Sequence, residues 1–223
     1  MRNSLALRIL VYLLLYFCLR YFGGEIGYKI LYPINLLVTF LHEFGHAIGA
    51  LITGGSVLSI EISPNGAGAT RTVGGNFPII LMGGYIGSAI FGNLLFLIGA
   101  RSQNMAKPLL GILATAMIFS SIFWYRTMFT SGFLIVFSLI LLVIVFKTNW
   151  AREILMFLGL ASIVYIIQDF NVGPSSDLTR YAEEMVVLPM KAWMYIWLGV
   201  VLVLCYWNLK IIFYKEEEEQ IYS

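Results

Sequence analysis

Two histidines and a glutamate stand inside a predominantly apolar stretch, and few folds tolerate that. Residues 30–52 carry the run Leu41-His42-Glu43-Phe44-Gly45-His46-Ala47, with apolar residues on both sides. A stretch of about 23 residues is long enough to cross a bilayer. One ionisable residue at mid-bilayer costs roughly 2.5–3.5 kcal/mol, so three together require a partner. A metal ion is such a partner. Residues four apart share one helix face, with Cβ atoms about 5–6 Å apart. Two imidazoles so placed can reach one Zn²⁺ at roughly 2.0–2.1 Å each. The glutamate beside the first histidine can hold and deprotonate the water that such an ion activates. His42 and His46 are the only histidines in the chain, so the spacing is not drawn from a histidine-rich background. The plainer reading, two ordinary surface helix residues, sits badly with apolar surroundings.

The rest of the chain supports a membrane setting. Of 223 residues, 60% are hydrophobic and 12% charged, a composition of integral membrane proteins. The expected architecture is all-α and multi-spanning, with about seven transmembrane helices near residues 5–22, 30–52, 77–100, 108–124, 132–146, 154–167 and 190–213. One domain, 1–223, is expected, with its core at 30–100 and 168–200. A net charge of +2 leaves no basic face, and no nucleic-acid partner is expected. Cys18 and Cys205 each lie in apolar runs and read as small buried hydrophobes. Arg2 and Arg8 precede an apolar run with no small-residue cleavage signal, which reads as an uncleaved first span.

Two polar interruptions matter. Val57-Leu58-Ser59-Ile60-Glu61-Ile62-Ser63 alternates in part, Pro64-Asn65-Gly66 signals a turn, and Ala69-Thr70-Arg71-Thr72 can return. This predicts a small β-hairpin after the second span. The second interruption, residues 168–188, holds Asp169 and Asp177, the only aspartates in the chain. Four crossings separate it from the second span, so both aspartates return to the membrane face where that span ends. Asp169 can be a helix-end charge. Asp177 follows Gly173-Pro174-Ser175-Ser176, a turn able to fold back into the bundle. It also precedes a possible helix at Leu178, which it could N-cap instead. Trp193, Tyr195 and Trp197 fit an interfacial aromatic belt. In the third span, Gly83, Gly84, Gly87 and Gly92 suit close helix packing, as do Gly45 and Gly49 on the second. Asn93 reads as a hydrogen-bonding partner for another helix, with contact to a substrate carbonyl as the alternative.

These residues resemble the site-2 protease family of intramembrane zinc metalloproteases, and its bacterial-type branch in particular. The resemblance rests on the motif of residues 41–47, on Thr53-Gly54-Gly55, and on Thr70-Arg71-Thr72 ahead of Gly83-Gly84-Tyr85-Ile86-Gly87. It covers residues 36–99 well and 175–197 more weakly. It implies Zn²⁺ held by two histidines and one aspartate, and peptide-bond cleavage in or beside the membrane. The family's Leu-Asp-Gly and Gly-Pro-x-x-Asn motifs are absent from the chain. Ser176-Asp177-Leu178, followed by Pro189, Trp193 and Trp197, is similar to the tail of related bacterial sequences and favours Asp177 over Asp169.

The expectation is therefore a multi-pass zinc endopeptidase of the cell membrane, acting on membrane-protein substrates within the lipid bilayer. His42, His46 and Asp177 are the expected metal ligands and Glu43 the catalytic base. The alternative is a non-proteolytic zinc-binding scaffold or regulator of the same fold. Such a protein could dispense with the motif's glutamate, which is present here. A metal transporter would want more ionisable residues in spans three to six.

Overall fold

A computed structural model describes residues 2–170 and 176–221. Its order is α1 (Arg2–Tyr21), α2 (Gly24–Ile52), β1 (Ser56–Ile62), β2 (Gly68–Val73), α3 (Phe77–Arg101), α4 (Gln103–Phe123), α5 (Met128–Lys147), α6 (Ala151–Asp169), α7 (Asp177–Met185) and α8 (Met190–Ile221). Six helices among the described residues, α2 to α6 and α8, are long and apolar enough to cross a membrane. The helix α1 occupies the place of the expected first span. The turn expected at residues 173–175 lies outside the described residues.

Helix α2 is the axis of the molecule. It is 29 residues long, about 44 Å at 1.5 Å per residue, and begins six residues before the expected span. Gly24 makes that start possible at φ +54, a backbone conformation that favours glycine. Leu36, Leu37, Phe40 and Leu41 are buried against α4 to α6. The other side carries a polar stripe at 32, 39 and 43. Onto it folds the hairpin, with strands within a residue or two of the expected ones. The Tyr32 hydroxyl donates to the Pro64 carbonyl at 2.6 Å, and Thr39 Oγ1 to the Gly66 carbonyl at 2.9 Å. The hairpin thus lies back along a membrane-spanning helix, where irregular backbone persists only if covered or facing water.

The cover is on β1. Ile60 N–H donates to the Trp124 carbonyl at 3.0 Å, and Ile62 N–H to Thr130 Oγ1 at 2.9 Å. Thr130 returns its hydroxyl proton to the Ile62 carbonyl at 3.1 Å. The α4–α5 junction therefore occupies the outer edge of β1. Ile60 pairs with Thr70, and Ile62 with Gly68. Residues whose groups point out of one antiparallel strand face partners pointing out of the other. Gly68 and Thr70 therefore aim their backbone N–H and C=O along the outer edge of β2.

Close helix crossings follow the small residues. A Cβ on Gly45 would strike the Gly83 carbonyl oxygen, which ties α2 to α3 at the motif itself. At the α3–α6 crossing, a Cβ on Gly159 would strike Phe96 N and come within 2.8 Å of the Gly92 carbonyl. Gly159→Ala should therefore force these backbones apart, at about 1–3 kcal/mol. The denaturation midpoint in mixed micelles is the measurement, and an unshifted midpoint would contradict the packing.

Asn93 meets α8, as its helix-pairing role anticipates. Asn208 Nδ2 donates to the Asn93 carbonyl at 2.7 Å and to its side-chain oxygen at 2.8 Å. The aromatic belt is corrected in one member. Trp197 is only 2% exposed and packs on Tyr85 and Tyr181, with ring centroids 5.8 and 4.8 Å away. Tyr195 is exposed as expected. Three aromatics within five helical residues cannot all face one way, and Trp197 turns inward.

Candidate metal centre

His42 and His46 project from α2 toward the start of α7, with ring centroids 4.8 Å apart. Asp177 comes from 131 residues further along the chain to meet them. Its Oδ2 lies 3.0 Å from His42 Nε2 and 3.1 Å from His46 Nε2. These three donor atoms all lie within 4.8 Å of one another. Ligand atoms about 2.05 Å from a tetrahedral ion stand roughly 3.3 Å apart, close to the two separations between Asp177 and the histidines.

The hydrogen bonding of His46 sharpens this fit. Its Nδ1 lies 2.6 Å from the Ile80 carbonyl, an acceptor only, so Nδ1 carries the proton. In neutral His46 the Nε2 lone pair then faces a carboxylate oxygen. Two facing acceptors require a positive centre between them, either a proton that makes His46 a cation or a metal ion. The donor types, two imidazoles and one carboxylate, suit a divalent metal with one position left open. Burial alone would push the Asp177 carboxyl up. The contacts with His42 and His46 outweigh it and hold the group well below the usual carboxylate range, so it enters as an anion.

Asp177 is free for this because its alternative employment is taken. The N-cap of α7 is Ser176, whose Oγ accepts from Thr179 N–H at 3.3 Å. Asp177 is the first helical residue instead. Asp169 ends α6 nearby. It lines the same cavity as His42 and Asp177 but is not in the three-residue cluster.

Glu43 stands beside the cluster, 5% exposed. Thr70 Oγ1 lies 2.7 Å from its Oε2 and 2.9 Å from its main-chain carbonyl, and donates its one proton between them. Gly68 lies so close that a Cβ there would strike the Glu43 carboxylate. The open edge of β2 therefore runs directly over Glu43. Cavities of about 270 and 580 Å³ flank this point, and Glu43, Gly68 and Asp177 line both.

The roles of three supporting residues escape a sequence reading, although Thr70 and Tyr85 lie in the stretches that carry the resemblance. Thr70 and Gly68 owe their roles to hairpin register, and Tyr85 stands nearly perpendicular to His42, with ring centroids 4.9 Å apart at 82°. Gly84 carried a signal, but one that read as helix packing. It floors the site: a Cβ there would come 2.5 Å from His42 Nε2 and 2.6 Å from His46 Nε2. Gly84→Ala should displace the imidazoles and lower metal affinity by at least tenfold, near the 10–100-fold typical of losing a supporting contact. Competition against a chelating dye measures this; unchanged affinity would contradict the geometry.

The Peptidase M50B-like family model matches residues 6–208, nearly the whole chain. The chain belongs to that family, which is the site-2 protease family, and is a multi-pass membrane protein of metallopeptidase type. No curated protein and no solved structure matches it.

Proposed function

We propose that this Peptidase M50B-like chain is a zinc endopeptidase that hydrolyses membrane-protein substrates within or beside the bilayer. In this reading His42, His46 and Asp177 hold Zn²⁺ and Glu43 is the general base. The observation that supports it best is the approach of Asp177 Oδ2 to both imidazoles, beside a buried glutamate under an open strand edge. When bound, zinc supplies Lewis-acid polarisation of the scissile carbonyl and acidifies water to a pKa of about 7.

The chain's own residues supply the rest. The Ile80 carbonyl fixes the His46 tautomer, and the Tyr85 ring packs against His42. Glu43 takes a proton from the attacking water and returns it to the leaving amine nitrogen. Thr70 orients the carboxylate for this transfer through Oε2.

A transmembrane helix hides its carbonyls in its own hydrogen bonds, so the substrate must unwind to be cut. The outer edge of β2 offers unwound backbone a place, as an added strand passing over Glu43. An added strand uses alternate N–H groups only. N-methylation scanned along a reporter peptide should therefore slow cleavage at every second position near the cut. A uniform effect, or none, would remove strand addition from the mechanism.

The function itself is tested by incubating purified, zinc-replete protein with transmembrane reporter peptides and analysing products by mass spectrometry. Internal fragments cut near one membrane face are expected. One bound zinc per chain with no product from any reporter would contradict the proposal and favour the non-proteolytic scaffold.

A further inference from the structure

We infer that Arg71 and Arg180 select substrates bearing an acidic side chain on the membrane-face side of the cleaved bond. The inference rests on the peptidase reading above and adds a specificity to it. The 580 Å³ cavity is lined by Glu43, His46 and Asp177 and also by Arg71, Arg180 and Phe77. The two arginines come from different walls, β2 and α7. Both are exposed, and neither has an ion-pair partner among the described residues.

Among the described residues no nearby carboxylate pairs with them, and Asp177, one helical turn before Arg180, is held by His42 and His46. Glu61, across the hairpin, pairs with Arg126 at 3.6 Å. Glu183 and Glu184 follow Arg180 by one helical turn and form no ion pair with it. The Arg180 guanidinium lies over the Phe77 ring instead, 5.3 Å from its centroid. Stacking on the ring holds the guanidinium at the cavity wall and leaves its edge N–H groups for a ligand. A carboxylate is the group that this fork matches bidentately.

The opposite flank has the opposite sign. The 270 Å³ cavity beyond Glu43 is lined by Asp169 and Tyr165, with no arginine or lysine among the described residues. An extended peptide crossing the site thus meets arginines on one flank and Asp169 on the other.

The arginine flank also has a fixed depth. Ile52 ends α2 and Phe77 begins α3, so Arg180, over the Phe77 ring, stands where the chain emerges at the membrane face. Acidic residues are costly at mid-bilayer and much less so at that depth. Arg71 directly follows Thr70, whose hydroxyl touches Glu43. A strand advances about 3.3 Å per residue, which puts the selected acid roughly two to four residues from the cut bond.

The test uses the full chain, zinc-replete in detergent, and three matched transmembrane reporters. They carry Glu, Gln or Lys two to four residues toward the membrane face from the cut. Glu should be preferred over Gln by about tenfold in kcat/KM, carried by KM with kcat little changed, and Lys should fall below Gln. Arg71→Ala with Arg180→Ala should flatten the series, and Arg180→Glu should favour Lys. Equal cleavage of the three, or an unchanged Glu preference in the double variant, would overturn the inference. Absence of all cleavage would instead overturn the peptidase reading. Selection is then read by anisotropy of the labelled reporters on Glu43→Gln protein, where equal Kd values overturn it. Repeating the series in nanodiscs with and without phosphatidylglycerol separates the other source of anionic groups. An arginine effect that follows the lipid and not the peptide charge would assign these residues to headgroups and overturn the inference.

Discussion

Glu43→Gln should keep one zinc per chain and cleave reporter peptides at least about 10²-fold more slowly. The substitution preserves shape and the ability to accept from Thr70, which holds Oε2 at 2.7 Å. It removes only the capacity to take a proton. Because Glu43 is 5% exposed and pressed under Gly68, bulk water has little room to stand in for the lost base. Wild-type turnover in this variant would remove Glu43 from the mechanism, whatever its metal content.

Asp177→Ala should lose zinc, whereas Asp169→Ala should keep it. Removing Asp177 leaves two imidazoles, and three protein ligands are the usual minimum for a catalytic zinc. The affinity loss should exceed the roughly 10–100-fold seen when a partner outside the coordination shell is removed. A helix cap would behave differently, at about 1 kcal/mol of stability with metal retained, but Ser176 already caps α7. Asp169 lines the cavity beside His42 without joining the three-atom cluster, so its loss should spare zinc. Zinc stoichiometry of both variants at matched folded purity decides this. Full zinc in Asp177→Ala with loss in Asp169→Ala would reverse the assignment.

What could be read from the sequence divides along the range of the interactions. His42 and His46 were legible because one helical turn relates them. The hairpin was legible because turn chemistry at Pro64-Asn65-Gly66 is local. The spans were legible because apolar length alone defines them, although α2 starts earlier than hydropathy suggests. Asp177 was only half legible: counting crossings brings it to the correct membrane face, but so it does Asp169. What separates them is Ser176 taking the cap, a contest between adjacent residues that either could win. Trp197 was misread because a core and an interfacial belt both use aromatics. Thr70 and Gly68 depend on the register of β2 against α2, and Tyr85 on the angle at which α3 crosses it. No local spacing encodes either.

The central claim is that zinc on this site cuts peptide bonds. It is tested most directly by metal analysis of the purified protein joined to reporter cleavage before chelation, after chelation and after zinc is restored. One zinc per chain is predicted, with an internal cleavage product that disappears on chelation and returns with zinc. Undiminished cleavage by protein shown to be free of metal would contradict it.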